Sequence, residues 1–326
     1  MDKKEIEAFL GEDWLSVKEL IASSLATDVA LLARTNAQIL EHSGKQMRPM
    51  ISLLMARACN GGEINGDTIK FAATTELLHN ATLLHDDVVD DSGERRGGPT
   101  VNALLGGHAS VLIGDFWLVK AMDTMIDGGE RVSEAGRVFS KTLSDLAEGE
   151  MLQLQKASTA DTSMEDYLKI IFSKTASLFK ASCECAALSV GAPEDLVSAA
   201  REYGLSLGMA FQIRDDILDY SGKDLGKPVG KDLMEQKITL PLLGAFSAVD
   251  EEKEREVRGM VRDIHRHPEY VEQINGFVAS YGGVGYAMEI LKEYAGKALS
   301  ALDALPDSQE KEYLKLLADY SVYRQI

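Results

Sequence analysis

The sequence has no long hydrophobic run. No stretch of about 18 uncharged apolar residues occurs in the 326-residue chain, and a helix that crosses a bilayer needs roughly that length. The chain starts with Met-Asp-Lys-Lys-Glu-Ile-Glu and so lacks the apolar segment of an export signal at this end. We therefore expect a cytoplasmic protein without a membrane span.

Cysteine is also scarce, with only Cys59, Cys183 and Cys185 in the chain. Their odd number and their spacing match neither a disulfide framework nor a metal-binding motif. The sequence therefore predicts reduced thiols of the kind found in the cytoplasm.

Basic residues are outnumbered by acidic ones. The chain has 34 Lys and Arg against 52 Asp and Glu, a formal net charge of −18. A nucleic-acid partner is disfavoured, because phosphate binding needs a basic surface. The electrostatic field of this net negative charge also repels small anionic substrates. An anionic substrate would therefore need bound cations or a local group of lysines and arginines.

Proline is rare, with seven residues, and long segments of helical period lie between the prolines. Apolar residues recur at helical spacing in 65–91, and 108–127 is apolar on most sides, which is typical of a helix inside a core. No Asn-Gly or Asp-Gly turn joins two alternating apolar runs. Further helices are predicted at 131–157, 163–190, 194–220, 232–249, 251–266, 268–281, 284–304 and 307–320. We predict an all-α fold of ten or more helices in a single domain, residues 1–326.

Two acidic motifs of the form D-D-x-x-D occupy residues 86–90 and 215–219, each at the end of a long apolar helical segment. The first and last aspartates of each motif are four residues apart, so they lie on one helix face and repel each other. A divalent cation reverses that repulsion, and carboxylate oxygens suit Mg²⁺, which also binds substrate phosphates. The alternative is a pair of acidic helix ends in an acidic protein. Aspartate opposes the dipole at a helix C-terminus, which favours a functional reading of both motifs.

Basic residues flank both motifs. Lys45 and Arg48 precede the first, and Arg95 and Arg96 follow it beside two glycines, in what we expect to be a flexible loop. The glycine-rich segment 221–231 follows the second motif and contains three lysines. Each group alone fits a solvated basic loop. Together they fit binding sites for two polyphosphates with Mg²⁺, since Arg binds phosphate through two parallel hydrogen bonds.

In combination these motifs resemble the trans-isoprenyl diphosphate synthases, which include farnesyl, geranylgeranyl and octaprenyl diphosphate synthases. The resemblance extends over about residues 40–245 and is carried by Gly-Lys-x-x-Arg-Pro at 44–49, Leu-Leu-His-Asp-Asp-Val-Val-Asp at 83–90 with Arg-Arg-Gly at 95–97, Gln-Ile-Arg-Asp-Asp-Ile-Leu-Asp at 212–219, and Lys-Ile-Thr-Leu-Pro at 237–241. It implies the isoprenoid synthase fold, an antiparallel helical bundle around a central cavity, and a homodimer.

The resemblance also implies the roles of individual residues. The expected ligands of about two to three Mg²⁺ ions are Asp86, Asp90 and Asp215, and the catalytic group adds Asp87, Asp216 and Lys174. The residues expected to bind isopentenyl diphosphate are Lys45, Arg48, His79 and Arg96. Those expected to bind the allylic diphosphate are Arg95, Lys174, Thr175, Gln212 and Lys227. Without the resemblance, His79 would be interpreted as a structural histidine and Lys174-Thr175 as exposed helix surface.

The reaction implied by the resemblance is a condensation. The allylic C–O bond ionises while Mg²⁺ and basic side chains stabilise the charge on the diphosphate. The double bond of isopentenyl diphosphate attacks the allylic cation, and the released diphosphate takes the proton that is lost. The cavity must exclude water, which would quench the cation.

Product length is predicted from the helix before the first motif. Family members with short products tend to carry an aromatic residue five positions before the first aspartate, and here that position is Ala81, followed by Thr82, with Leu78 lower on the helix. Small residues leave a tunnel open, so we predict a long product of about C30 to C50 for a quinone side chain. Release of this product is expected to involve peripheral contact of the protein with a membrane. Candidates for the tunnel floor are Trp117, Met122 and Met125, which could equally be ordinary core residues.

Three other interpretations stay open. A shorter-chain synthase would carry the same motifs. A class I terpene cyclase shares the fold but normally lacks the second D-D-x-x-D motif and the isopentenyl diphosphate site, which here is represented by Lys45, Arg48 and Arg96. A non-catalytic subunit of a two-part prenyltransferase tends to lose motif residues, whereas this chain keeps both acidic motifs.

Overall fold

A computed structural model describes residues 3–221 and 230–323, which are helical almost throughout. The helices are α1 (Lys3–Leu10), α2 (Glu12–Ser24), α3 (Ala30–Glu41), α4 (Met47–Cys59), α5 (Gly66–Val89), α6 (Val101–Leu105), α7 (Gly107–Ile126), α8 (Val132–Thr159), α9 (Met164–Ile171), α10 (Ser177–Ser189), α11 (Glu194–Ser221), α12 (Lys231–Met234), α13 (Leu240–Phe246), α14 (Glu251–Arg262), α15 (Tyr270–Ser280), α16 (Gly283–Ala301) and α17 (Gln309–Tyr323). A π-helical turn, Phe172–Ala176, joins α9 to α10, and a 3₁₀ turn, Leu302–Ala304, follows α16. Two short strands, β1 (Glu94–Arg95) and β2 (Gly98–Pro99), form a hairpin after α5. The predicted all-α fold is confirmed.

The chain divides into two compact units. The first unit contains residues 1–140, 181–201 and 302–315, and the second contains residues 141–180, 202–301 and 316–326. The predicted single domain of residues 1–326 stays a prediction.

The first unit is organised around α5 and α7, which run antiparallel. Ser110 Oγ donates to the carbonyl of Leu84 (2.7 Å) near one end of the pair, and Thr74 Oγ1 donates to the carbonyl of Ala121 (3.4 Å) towards the other. An Asn65 capping box begins α5, because Asn65 Oδ1 accepts the backbone N–H of Thr68. The C-terminal end of α5, where the first acidic motif lies, is thereby held against the start of α7.

The second unit has its own apolar core. Side chains of α9, α11, α13, α15 and α16 form one cluster. Every residue of α13 is buried. Because a fully apolar helix must be enclosed by others, α13 lies at the centre of this core.

Most predicted helices agree with the structure to within a few residues, but two segments differ. The prediction of one helix over 232–249 was wrong, because the chain breaks between α12 and α13. Gln236 there has a left-handed φ of 57°, and Thr239 is extended before Pro241, which sits in the first turn of α13. The predicted helix 163–190 is interrupted by the π-helical turn. No helix within the described ranges, 3–221 and 230–323, is both long and apolar enough to cross a membrane.

Candidate active site

The first acidic motif forms the last turn of α5 in the first unit. Asp86 and Asp90 are half-buried, one turn apart, and the backbone N–H of Asp90 closes the helix on the carbonyl of Asp86 (2.8 Å). Asp87 is buried, and its Oδ1 accepts a hydrogen bond from Arg95 Nε (2.7 Å). The motif therefore divides into a same-face pair, Asp86 and Asp90, and a third carboxylate that binds an arginine.

The segment after this motif is a β-hairpin instead of the expected flexible loop. Its two turn residues, Arg96 and Gly97, have φ of 53° and 77°, the left-handed pair that a type I′ turn requires. Arg95 pairs with Gly98 across the strands. The hairpin fixes Arg95 towards Asp87 and sends Arg96 towards the turn before α4.

Arg96 lies against the segment that carries Lys45. Its Nη1 donates to the carbonyl of His42 (3.0 Å), and a Cβ added to Gly44 would lie 2.7 Å from its Nε. Gly44 also has a φ of 69°, a left-handed backbone conformation that favours glycine. The structure thus brings together two of the segments that are predicted to bind isopentenyl diphosphate.

Arg48 and His79 lie near Arg96 in the first unit. Burial lowers the pKa of Arg48 to about 10, with Glu76 opposing and Arg96 adding to the decrease. Burial, together with the charges of Arg48, Arg96 and Arg95, lowers the pKa of His79 well below its usual value. His79 is therefore neutral at pH 7, so one of its ring nitrogens donates a hydrogen bond and the other accepts one.

Glu76 is a residue of this group that the sequence prediction missed. Its side chain is 2% exposed, its Oε1 accepts a hydrogen bond from Asn80 Nδ2 (3.1 Å), and burial raises its pKa while Arg48 opposes the increase. An acidic residue on the inward side of an apolar helix, three residues before His79, was the signal that could have revealed it.

In the second unit, the π-helical turn carries Lys174 and Thr175. Gly149 of α8 and Gly208 of α11 pack directly on this turn: an added Cβ would meet Ser173 Cβ at 2.3 Å and Ala176 Cα at 2.5 Å, respectively. A π-helical turn inserts an extra residue into a helix and is often found at functional sites. The two glycines thus allow close packing around the predicted diphosphate-binding pair.

Lys174 and Thr175 are each held by a neighbouring side chain. Lys174 Nζ forms an ion pair with Glu150 Oε2 (2.8 Å), and Thr175 Oγ1 donates to Gln212 Oε1 (2.6 Å). Gln212 Nε2 in turn donates to Asp216 Oδ1 (2.9 Å). Two predicted allylic-site residues, Thr175 and Gln212, are therefore connected to one aspartate of the second motif, while Lys174 is held separately by Glu150.

The second acidic motif closes α11. Asp216 is buried and Asp215 is half-buried. Asp219 accepts the backbone N–H groups of Lys231 and Asp232 (3.1 Å each), so it caps the start of α12. Tyr167 and Asp232, which were not predicted, also belong here; Tyr167 lies 49 residues before Asp216, and Asp232 lies 13 residues after Asp219. Nothing in the local pattern around either residue indicated this.

The electrostatics of the second motif favour a cation. Burial, and then the charge of Asp232, raises the pKa of Asp216 well above its usual value. Burial, and then the charge of Asp219, raises the pKa of Asp232 to about 7. A cavity of about 90 Å³ adjoins these groups, and its lining includes Tyr167, Lys174, Gln212, Asp216 and Asp232. Carboxylates that repel each other beside a cavity match the needs of a hard divalent ion.

The described residues, 3–221 and 230–323, contain no group of three or more His, Cys, Asp or Glu that could hold a metal ion unaided. Mg²⁺ differs from zinc in this respect, since it usually binds one or two carboxylates, several waters and the phosphates of a substrate. The same-face pair of the first motif and the acidic group of the second fit that mode of binding. Lys227 lies outside the described residues.

The residues predicted to set product length are mostly buried. Ala81 and Leu78 are 1% and 0% exposed, whereas Thr82 is half-buried and donates from Oγ1 to the carbonyl of His79 (2.9 Å). Trp117 is fully buried, and its Nε1 donates to Asn36 Oδ1 (2.9 Å). Met125 is buried and Met122 half-buried. Their roles in product length stay predictions.

Comparisons with known proteins identify the class of this site. The model of the polyprenyl synthetase family matches residues 29–278. The chain is 39% identical to octaprenyl diphosphate synthase of Escherichia coli (strain K12) over 328 residues, covering 99% of each. It is also 39% identical to an all-trans-nonaprenyl-diphosphate synthase (geranyl-diphosphate specific) of Rhodobacter capsulatus, over 96% of this chain and 95% of that one. The crystal structure of a decaprenyl diphosphate synthase from Rhodobacter capsulatus superposes with a TM-score of 0.91 at 36% identity, covering 98% of both chains.

The chain belongs to the polyprenyl synthetase family. The family predicted from the two acidic motifs is confirmed, and the match extends beyond the 40–245 region that the motifs indicated.

Proposed function

We propose that this protein condenses isopentenyl diphosphate with an allylic prenyl diphosphate and releases an all-trans polyprenyl diphosphate of about C30 to C50, a chain length that fits a tunnel without a bulky block. The observation that supports the proposal is a hydrogen-bonded connection, within each unit, between an acidic helix end and residues predicted to bind diphosphate. Asp87 accepts from Arg95 in the first unit, and Asp216 accepts from Gln212, which accepts from Thr175, in the second. The similarity to octaprenyl and nonaprenyl synthases supports a long product.

The side chains have separate tasks in this reaction. Arg48 and Arg96, with Lys45 nearby, bind the diphosphate of the isopentenyl substrate, and neutral His79 adds a hydrogen bond without adding charge. Lys174 and Thr175, with Arg95, Gln212 and Lys227, bind the allylic diphosphate. Their fixed positions stabilise the negative charge that grows as the allylic C–O bond breaks. The released diphosphate takes the proton that is lost when the new double bond forms.

Asp86, Asp90 and Asp215 are the proposed ligands of about two to three Mg²⁺ ions. When bound, these ions neutralise the leaving diphosphate and so make ionisation of the C–O bond easier. Asp87 and Asp216 have a positioning role, since each accepts hydrogen bonds from side chains of the proposed site. Asp87 orients Arg95, and Asp216 orients Gln212.

We also propose a homodimer that works in the cytoplasm as one synthase domain of residues 1–326. The support for a dimer is an exposed apolar face on α7. Leu112, Val119 and Ile126 are 69%, 55% and 62% exposed and lie seven residues apart, on one side of the helix. An apolar face of this kind is characteristic of a surface that another chain covers.

The test is turnover by the purified chain with farnesyl diphosphate, isopentenyl diphosphate and Mg²⁺, with the products measured by mass spectrometry after removal of the phosphates. Products of about C30 to C50 support the proposal. Products that stop at C15 or C20 would identify a shorter-chain synthase. A hydrocarbon formed from farnesyl diphosphate alone would identify a cyclase, and inactivity of the folded chain would favour a non-catalytic subunit.

A further inference from the structure

Tyr167, in α9, contacts the second acidic motif although no motif includes it. Its Oη donates to Asp216 Oδ2 at 2.6 Å. The residue is 2% exposed and lies in the core cluster of the second unit with Ile171 and Ile213. Because the ring is held by packing, the phenol oxygen has a fixed position from which to donate.

Asp216 accepts a hydrogen bond at each of its carboxylate oxygens, from Tyr167 at Oδ2 and from Gln212 Nε2 at Oδ1 (2.9 Å). The second bond fixes the orientation of the Gln212 amide, so that its Oε1 faces Thr175 Oγ1 (2.6 Å). A continuous hydrogen-bond network therefore runs from Tyr167 through Asp216 and Gln212 to Thr175. Networks of buried polar groups of this kind restrict each member to one arrangement.

We propose that Tyr167 is a positioning residue for the allylic diphosphate: its phenol fixes the carboxylate of Asp216, and through it the side chains of Gln212 and Thr175. The inference rests on the proposed function, which assigns the last two residues to that diphosphate. Without the phenol O–H, Asp216 Oδ2 would be buried without this donor, and the carboxylate could rotate. Gln212 would then lose the partner that sets its amide.

The variant Tyr167→Phe keeps the packed ring and removes only the O–H group. Leaving a buried oxygen of Asp216 without its donor is costly, so we expect the KM for the allylic diphosphate to rise about tenfold. The KM for isopentenyl diphosphate should stay unchanged, because its proposed ligands Lys45, Arg48, His79 and Arg96 all belong to the first unit. A purely structural defect would not separate the two KM values in this way.

Direct binding provides a second measurement that does not depend on turnover. Isothermal titration calorimetry with Mg²⁺ and a non-ionising farnesyl thiodiphosphate should show the same loss of about tenfold in affinity for Tyr167→Phe. The matched control is Tyr313→Phe, which removes a phenol O–H that donates to Glu5 Oε1 (3.1 Å) in the first unit. This control should bind the analogue as the wild type does.

A double-mutant cycle tests the network itself. If Tyr167 acts through Asp216 and Gln212 on Thr175, the affinity losses of Tyr167→Phe and Thr175→Val should be less than additive in the double variant. Additive losses, equal increases in both KM values, or wild-type affinity in Tyr167→Phe would each overturn the positioning role. A Tyr167→Phe chain that does not fold would overturn it too, since the residue would then be structural. Failure of the wild-type chain to bind or turn over would refute the proposed function instead.

Discussion

Arg95 Nε donates to Asp87 Oδ1 at 2.7 Å, and this ion pair connects the β-hairpin to the last turn of α5. Asp87 is buried, whereas its neighbours Asp86 and Asp90 are half-buried. The three aspartates of one motif therefore have different surroundings. Replacing them should have different effects, although the sequence presents them as equivalent.

We expect Asp86→Asn and Asp90→Asn to raise the Mg²⁺ concentration needed for half-maximal activity and to lower kcat by about a hundredfold or more, because each removes charge from the proposed metal site. Asp87→Asn should instead raise the KM for the allylic diphosphate, since Arg95 loses its ionic partner. Initial rates across a Mg²⁺ series check both expectations. Identical Mg²⁺ dependence in all three variants would contradict the separate roles of Asp87 and of the pair Asp86 and Asp90.

Stability should depend on pH through Asp232. Burial and the nearby Asp219 raise the pKa of its carboxyl to about 7, from about 3.9 in an unfolded chain. Between these values the folded state binds more protons than the unfolded state, so the free energy of unfolding is highest below the unfolded pKa and falls as pH rises towards 7. In EDTA, we expect a loss of about 2 kcal/mol between pH 5 and pH 8.

The measurement is urea denaturation in EDTA at several pH values, for the wild type and for Asp232→Asn. The variant cannot ionise at this position, so its stability should change less over the same range. Added Mg²⁺ should reduce the pH dependence of the wild type, because a cation favours the ionised carboxylates. An equal slope in the variant and the wild type would assign the effect to other groups.

The close packing of Gly149 on the π-helical turn predicts the effect of a larger side chain at that position. In Gly149→Ala, the new Cβ would meet Ser173 Cβ at 2.3 Å, so the turn that carries Lys174 and Thr175 must move. We expect a loss of stability of about 1–3 kcal/mol, as is typical of overpacking, and a raised KM for the allylic diphosphate. Thermal unfolding and steady-state kinetics check this expectation.

Gly276→Ala is the matched control for that substitution. Gly276 lies in α15, and an added Cβ there has no atom within 4 Å. Alanine favours the helix over glycine by about 0.5–1 kcal/mol, so this variant should be as active as the wild type and slightly more stable. If Gly149→Ala behaved in the same way, close packing on the turn would not matter for binding.

Sequence periodicity predicted α5 and α7 well, because both are long and apolar and have clear stop signals at their ends. It could not predict the π-helical turn, since the apolar pattern continues through Phe172–Ala176 and the interruption depends on Gly149 and Gly208 packing against it. The break before α13 was missed because the apolar run 238–246 has helical composition. The sequence signal for a new helix there is Pro241 in the first turn of α13, preceded by Thr239 in the extended conformation of an N-cap residue.

The residues of the candidate site could also be predicted only in part from the sequence. Aspartates, lysines and arginines in motifs could be recognised locally, because the spacing within one helical turn already implies a shared face. Tyr167 could not be recognised in this way, and for Glu76 the only signal was an acidic residue on the inward side of an apolar helix. The role of Tyr167 comes from Asp216, 49 residues away in the sequence, and the folded chain also shows that Glu76 is buried beside Arg48.

The exposed face of α7 predicts the effect of a charge on assembly. Leu112 is 69% exposed, so Leu112→Arg should leave the folded chain intact while placing a charge on the proposed dimer surface. We expect light scattering after size exclusion to show a monomer. Leu15→Arg is the control, because Leu15 is 47% exposed on α2 and should leave the dimer unchanged. A wild-type chain that is already monomeric would refute the proposed homodimer.

Product length should respond to the size of residue 81. Ala81 is 1% exposed on α5, five residues before Asp86, and a phenyl group there would block a prenyl tail that follows the helix towards Leu78. We expect Ala81→Phe and Ala81→Tyr to release shorter prenyl diphosphates, with a cost in stability of about 1–3 kcal/mol from overpacking. Ala81→Ser changes the same position without adding bulk and should keep the wild-type product. Chain lengths measured by mass spectrometry decide the matter: an unchanged product in a folded, active Ala81→Phe enzyme would show that the tail takes another path.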